Sequence, residues 1–260
     1  MDKKIGIIGI GNMGEVLLKY ILDFGITEAE KVYISDRKKS KLEDLKEELG
    51  VNISLDNKET AKNSDVLILA VRPQVLEEVL LEIKPKIKNQ LIISIAAGVK
   101  TELIENIFKG NSVVRVMPNI LYKVGKGAAA FSLGKNADEA DEKLVKEIFG
   151  AGGICLKLDE SKINFATPIV GSSPAFIQYL VNALIEASEK QTFSREKAEE
   201  TIIQIAEGTI KVIKEGKANN DVATKGGATI EGLKVLNEYK VKEALTECLD
   251  KTREKAEKLG

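Results

Sequence analysis

Ile5-Gly6-Ile7-Ile8-Gly9-Ile10-Gly11-Asn12-Met13-Gly14 stands at the head of the chain. A short apolar run, read as a strand over Ile5–Ile8, enters a G-x-G-x-x-G hexad directly, and an amphipathic run to Phe24 follows. That context gives the hexad its meaning. The first glycine makes a tight turn, the second lets backbone approach a pyrophosphate, and the third lets helix pack on strand. Phosphates would then face the first N–H groups of the helix. Gly9, Gly11, Asn12, Met13 and Gly14 are therefore candidate dinucleotide-binding residues.

Outward from this turn the same alternation continues. Val32–Ile34 reads as a strand, and residues 40–49 as a helix with Ser40 as N-cap and Gly50 just past its end. The run VLILAV at 66–71 has the continuous apolar character of a strand covered on both faces. A helix over 74–81 follows Pro73, and LIISI at 91–95 and VVRV at 113–116 are further strands. Runs at 128–131 and 154–158 add edge strands. This order predicts an α/β domain of Rossmann type, a doubly wound, mostly parallel sheet, over residues 1–159.

From residue 160 the pattern turns helical. AFIQYLVNALIEA at 175–187 is apolar on nearly every face, which predicts a helix buried all round, with another subunit able to supply part of the cover. Ser194 caps a predicted helix through Lys214, and residues 229–238 and 241–259 read as helices too. Residues 160–260 thus form an all-helical second domain.

Composition sets the outer limits. The chain has 260 residues, 43% of them apolar and 30% charged, which is globular in character. Lys plus Arg number 39 and Asp plus Glu 40, a net charge of −1, so no broad basic surface is available for nucleic acid. No uninterrupted apolar run reaches the length of about 18 residues expected of a membrane span. A strand that begins this early leaves no room for a signal peptide, so the expected location is the cytoplasm. There is no histidine, which excludes Ser-His-Asp, Cys-His and His-metal chemistry, and no metal site is expected. Cys155 and Cys248 form no CxxC pair and are expected as buried or half-buried thiols.

After the second predicted strand comes Ser35-Asp36-Arg37-Lys38-Lys39. An acid at this place holds the ribose hydroxyls of NAD, whereas a cation accepts the extra phosphate of NADP. Both are present, and the planar guanidinium of Arg37 tips the balance to NADPH while leaving NADH open. Three more segments sit at carboxyl ends of predicted strands, the edge where open α/β sheets bind ligands: Ala70-Val71-Arg72-Pro73, SIAAG at 94–98 and RVMPN at 115–119. In the second domain GSSPAF at 171–176 leads into the apolar helix. GGATIEGL at 226–233 opens a short helix, whose first N–H groups could hold a carboxylate.

These segments together, with Asn57-Lys58-Glu59, resemble the pyrroline-5-carboxylate reductase family in order and over essentially the whole chain; GGATIEGL is the most specific. The resemblance implies reduction of the cyclic imine 1-pyrroline-5-carboxylate to L-proline by NAD(P)H, the last step of proline biosynthesis. It implies a C-terminal dimerisation domain in a homodimer with an intertwined partner, and larger rings of dimers also occur in the family. By the same resemblance, Ser35, Asp36 and Arg37 would face the adenosine end of the cofactor. Asn57, the turn Ala70, Val71, Arg72 and Pro73, and the segment with Pro118 and Asn119 would flank it, and Ala97 would lie by the nicotinamide. Ser172, Gly226, Gly227, Ala228 and Thr229 would hold the substrate, with Thr229 as catalytic residue facing the ring nitrogen.

The chain departs from the family pattern at Ile120-Leu121, where Thr-Pro is usual after MPN. Further departures are Val170 and Ser173 in the segment before the apolar helix, and Lys225 where proline is usual. These changes bear on substrate choice, so a reductase of a different cyclic imine and a non-catalytic nucleotide-binding paralogue are the alternatives. A hydroxyacid dehydrogenase of similar layout would need a lysine where this chain has Ile177.

Overall fold

The computed structural model describes residues 1–217 and 227–258. It divides into two compact units, Met1–Ser172 with Thr252–Gly260, and Ser173–Lys251.

The first unit is built on one eight-stranded sheet. Its strands are β1 (Ile5–Ile8), β2 (Val32–Ser35), β3 (Asn52–Ser54), β4 (Val66–Leu69), β5 (Leu91–Ser94), β6 (Val113–Pro118), β7 (Gly127–Leu133) and β8 (Gly153–Lys157). The spatial order is β3-β2-β1-β4-β5-β6-β7-β8. All neighbours run parallel except β6 and β7. From β1 the chain winds outward to β2 and β3, then returns to β4 and winds the other way. The switch point therefore lies between β1 and β4, where Ile8 stands opposite Leu69 in register.

The apolar runs form strands because both faces are covered. In β4, Val66 and Ile68 enter one core with Ile5, Ile7 and Ile34; Leu67 and Leu69 enter the other with Ile8 and Leu80. The crossover helices supply that cover: α1 (Asn12–Asp23), α2 (Lys39–Leu49), α3 (Asn57–Lys62), α4 (Pro73–Ile83), α5 (Thr101–Ile107) and α6 (Glu139–Gly150). Pro73 occupies the first turn of α4, where its missing N–H costs nothing. Gly50 ends α2 in the left-handed conformation at φ 71°. Ser40 is not the cap of α2: the helix begins one residue earlier and Lys38 is its N-cap, because the turn before it is closed by the Asp36 carboxylate on the Lys38 N–H.

Helical residues Glu160–Gln191 comprise α7 (Glu160–Ala166), a π-helical turn (Thr167–Ser172) and α8 (Ser173–Gln191). By length and a mean hydropathy of 1.2 this stretch meets the measure of a membrane-crossing helix, although no uninterrupted apolar run suggested one. Within the first unit, Ile163, Ala166 and Val170 pack on Ala130 and Met117.

The second unit holds α8, α9 (Arg195–Lys214), α10 (Ala228–Glu238) and part of α11 (Val241–Glu257). Ser194 caps α9 by accepting the Lys197 N–H. Within the single chain α8 is not covered all round, which leaves the rest of its apolar surface to the second subunit that its sequence allowed for. Ile185 is its only buried residue, while Ile177, Tyr179 and Leu184 are 54%, 74% and 57% exposed. Its apolar sequence exceeds what the neighbouring helices of one chain can cover. Cys155 is half-buried, as expected, whereas Cys248 is exposed on α11, which buries only Ala256.

Candidate functional site

The glycine turn is built by contacts too close for any side chain. Gly9 has φ +92°, and a β-carbon there would fall 2.8 Å from Val71 and 3.0 Å from the Ala70 backbone. At Gly14 a β-carbon would lie 2.1 Å from the Gly9 carbonyl oxygen. Gly11 is different: nothing lies within 4 Å of its β-carbon position, so its surface is free for a ligand to approach. Beyond Gly11, α1 starts at Asn12, and the N–H groups of a first helical turn lack intrahelical acceptors. Open backbone at Gly11 followed by orphan donors is the cradle that a pyrophosphate needs.

An open cleft of about 420 Å³ lies at this edge of the sheet. The β1–α1 turn contributes Gly11, Asn12 and Met13, and the β4–α4 turn contributes Ala70, Val71, Arg72 and Pro73. The loop after β5 adds Ala97, and the end of β6 adds Pro118 and Asn119. Four loops that are distant in sequence thus meet at the switch point. Ile95, Ala96 and Met117, from the SIAAG and RVMPN segments placed at this edge by the sequence, also line the cleft, as do Ile120 and Gly171, for which the sequence suggested no cofactor role. For Gly171 the signal was its place in GSSPAF: a β-carbon there would come 2.5 Å from the Met117 Cε.

Other expected residues stand behind the cleft. Ser35 is fully buried at the end of β2; its carbonyl accepts the Gly9 N–H at 2.9 Å and its hydroxyl donates to Asn57 Oδ1 at 2.8 Å. Asn57 Nδ2 donates in turn to Glu82 at 2.8 Å. Asp36 accepts the Ile10 N–H at 2.8 Å and the Lys38 N–H at 3.1 Å. Arg37 is exposed beside it. Asn119 lines the cleft while its amide is engaged inside the protein: Oδ1 accepts the Leu121 and Ala128 N–H groups, and Nδ2 donates to Val170 O.

In the second unit Gly227 is the N-cap of α10, and Ala228 and Thr229 are exposed in its first turn. Gly226 and Lys225 lie outside the described residues. Ser172 is half-buried at the end of the π-helical turn and is not among the residues lining the cleft. Among the described residues, no three His, Cys, Asp or Glu side chains cluster as metal ligands.

A doubly wound sheet with this turn at its switch point defines a Rossmann-type dinucleotide-binding protein. Its residues 4–98 match the family described as NADP oxidoreductase coenzyme F420-dependent, and residues 160–259 match pyrroline-5-carboxylate reductase dimerisation. The chain belongs to the pyrroline-5-carboxylate reductase family and is an NAD(P)H-dependent oxidoreductase. It is 36% identical to the pyrroline-5-carboxylate reductase of Methanosarcina acetivorans and 35% identical to that of Aquifex aeolicus. Both alignments cover 100% of this chain and 98% of the relative. Among solved structures, the Plasmodium falciparum pyrroline carboxylate reductase with NADP bound has a TM-score of 0.92 at 28% identity, covering 100% of this chain and 98% of that one. The Coxiella burnetii pyrroline-5-carboxylate reductase has a TM-score of 0.89 at 30% identity, covering 100% and 99%.

Proposed function

We propose that this chain catalyses reduction of 1-pyrroline-5-carboxylate to L-proline, with NADPH preferred and NADH accepted, as a cytoplasmic homodimer that uses neither metal nor nucleic acid. The observation that carries the reading is the glycine turn, open at Gly11 and closed at Gly9 and Gly14, in a chain of this family. When bound, the cofactor supplies the hydride. The N–H groups that open α1 would hold its phosphates, Arg37 would take the extra phosphate, and Ala97 would lie against the nicotinamide.

The substrate is a small zwitterion that can carry its own proton on the imine nitrogen, so a chain without histidine needs no strong general acid for it. Residues Gly226, Gly227, Ala228 and Thr229 would take its carboxylate and ring nitrogen. A carboxylate at the start of α10 gains about 0.3–1 kcal/mol from the helix terminus. A hydrogen bond to that charge adds about 1.5–3 kcal/mol. Fixed orientation against the nicotinamide contributes more than either.

A division into a nucleotide-binding domain over 1–159 and a dimerisation and substrate domain over 160–260 belongs to the same reading. The exposed apolar residues of α8 support a partner subunit as their cover, in preference to a lipid one, because the dimerisation match spans the same helix. In the first unit, Ile154 and Leu156 pair in register with Ala128 and Ala130, which pack toward α7. They stand 59% and 47% exposed, and Phe165 and Ile169 of the helical stretch that follows are 54% and 59% exposed. An apolar patch of this kind marks an interaction surface.

The decisive experiment follows oxidation of NADPH and of NADH by the purified protein with 1-pyrroline-5-carboxylate, with other cyclic imines and without substrate. Its mass in solution is measured alongside. Substrate-dependent oxidation by a dimer or a ring of dimers is expected. Tight cofactor binding without turnover on any imine would instead mean a non-catalytic paralogue.

A further inference from the structure

One carboxylate joins the two loops that would receive the cofactor. Asp36 stands just past β2; its Oδ2 accepts the Ile10 N–H at 2.8 Å and its Oδ1 accepts the Lys38 N–H at 3.1 Å. One residue earlier, the Ser35 carbonyl accepts the Gly9 N–H at 2.9 Å. The end of β2 therefore grips two consecutive N–H groups of the glycine turn. Ile10 is 1% exposed, so its N–H has little water to fall back on. A buried donor left without an acceptor is costly, and an ionised acceptor makes the stronger bond.

In dinucleotide-binding folds, an acid at this place commonly holds the ribose hydroxyls of the unphosphorylated cofactor. Here both of its oxygens face backbone N–H groups of the protein itself. The next residue, Arg37, is exposed, and among the described residues it pairs with no carboxylate. We infer that Asp36 is a positioning residue that sets the glycine turn for either cofactor, and not the reader of an unphosphorylated ribose. The inference rests on the cleft being a nicotinamide dinucleotide site. It separates two tasks that the residue type alone would merge: Asp36 shapes the turn, and the neighbouring cation is left to choose between cofactors.

The test is direct binding of NADPH and of NADH alone, without substrate, read by cofactor fluorescence in the wild type and in Asp36→Ala and Asp36→Asn. Removing the carboxylate is expected to weaken both cofactors by the same factor, about tenfold. Asn keeps an oxygen that can accept the Ile10 N–H, so Asp36→Asn is expected to stay within about threefold of wild type for both. In turnover, Asp36→Ala should raise the KM of both cofactors and leave kcat at saturation near wild type. A loss confined to NADH in Asp36→Ala, or in the conservative Asn variant, would assign the acid to the ribose and overturn the inference. So would unchanged binding of both cofactors. Wild-type protein that binds neither cofactor would instead remove the dinucleotide reading beneath it.

Discussion

Gly14 and Gly9 touch so closely that a β-carbon on Gly14 would lie 2.1 Å from the Gly9 carbonyl oxygen, whereas Gly11 between them faces open space. The two glycines must therefore respond differently to the same methyl group. Gly14→Ala has to push α1 away from β1 and should cost about 1–3 kcal/mol of stability, as overpacking does, along with cofactor binding. Gly11→Ala should leave stability within about 0.5 kcal/mol. Its methyl group would occupy the face offered to the pyrophosphate and weaken NADPH about tenfold or more. Denaturant unfolding and cofactor titration of the two variants check this. Equal stability loss in both would mean that the open surface at Gly11 is not what it is taken to be.

A second relationship ties the sheet to the helix that follows it. Arg115 on β6 is buried; its Nη2 donates to Asn164 Oδ1 at 2.5 Å and its Nη1 lies 3.8 Å from Glu160 Oε1. Glu160 accepts the Thr101 N–H at 2.6 Å and the Thr101 hydroxyl at 2.8 Å, which joins the start of α5 to the start of α7. Burial pushes the Arg115 pKa down and the Glu160 carboxylate opposes that shift. Arg115→Met leaves Glu160 without its cation and should cost about 3 kcal/mol, the low end for a broken buried pair, because Glu160 is partly exposed. At fixed protein concentration the expected fall in Tm is roughly 6–12 °C. A fall of less than about 2 °C would show that the network adds nothing to the fold.

What could be read ahead of the structure follows from how each signal is encoded. The runs at Ile5–Ile8, Val66–Leu69 and Leu91–Ser94 were legible because strands covered on both faces must be apolar throughout. The cleft turns were legible because glycine and proline report backbone conformation directly. By contrast, β3 is three residues of Asn-Ile-Ser and α3 is Asn-Lys-Glu-Thr-Ala-Lys, too short and polar for any period to emerge. α6 carried a signal that could have been used: Asp138 and Asp141 form a capping box. Asp36 and Asn119 show the remaining limit. Sequence displays a hydrogen-bonding group, but whether it serves a ligand or the protein's own backbone is decided by what the chain brings beside it.

Arg37 is exposed next to the inward-turned Asp36, which gives the cofactor preference a single point of attack. A charge-assisted hydrogen bond to a phosphate is worth about 1.5–3 kcal/mol. Arg37→Ala should therefore weaken NADPH about 10-fold to 100-fold and leave NADH nearly unchanged. Titrating both cofactors into one variant checks it, and equal losses would mean that Arg37 reads no phosphate.

Thr229 occupies the first turn of α10 and is exposed in the single chain. If its hydroxyl faces the imine nitrogen, Thr229→Ala should lower turnover about 10-fold to 100-fold, as loss of one positioned hydrogen bond does. NADPH affinity should stay within about twofold. Wild-type kcat in the purified variant would remove Thr229 from the reaction.

Alkali should unfold this protein through groups that the core keeps protonated. Burial pushes the Cys155 thiol from its ordinary 9.0 up to about 12, and burial likewise raises Tyr20 and Tyr122 above their ordinary 10.0. Tyr122 donates its hydroxyl to Phe149 O at 2.6 Å, Tyr20 accepts the Gly152 N–H at 2.9 Å, and the two rings pack edge to face at 4.6 Å. Each group is neutral when protonated. The unfolded chain releases these protons first, near pH 9.0 for Cys155 and 10.0 for the tyrosines, while the folded chain retains them. Over that interval the folded state binds more protons than the unfolded one, so stability falls as pH rises. Thermal melts at rising pH should show Tm constant with respect to these groups below 9.0 and declining above it, with the Cys155 contribution developing up to about 12. Cys155→Ala should start its decline later, near 10.0, where the tyrosines begin. At neutral to mildly alkaline pH the Cys155 thiol should also resist alkylation until the protein is unfolded, because the thiolate is the reactive form. A Tm that stays flat through this range, or rapid alkylation of Cys155 in the folded protein, would show that this corner of the core is open to water.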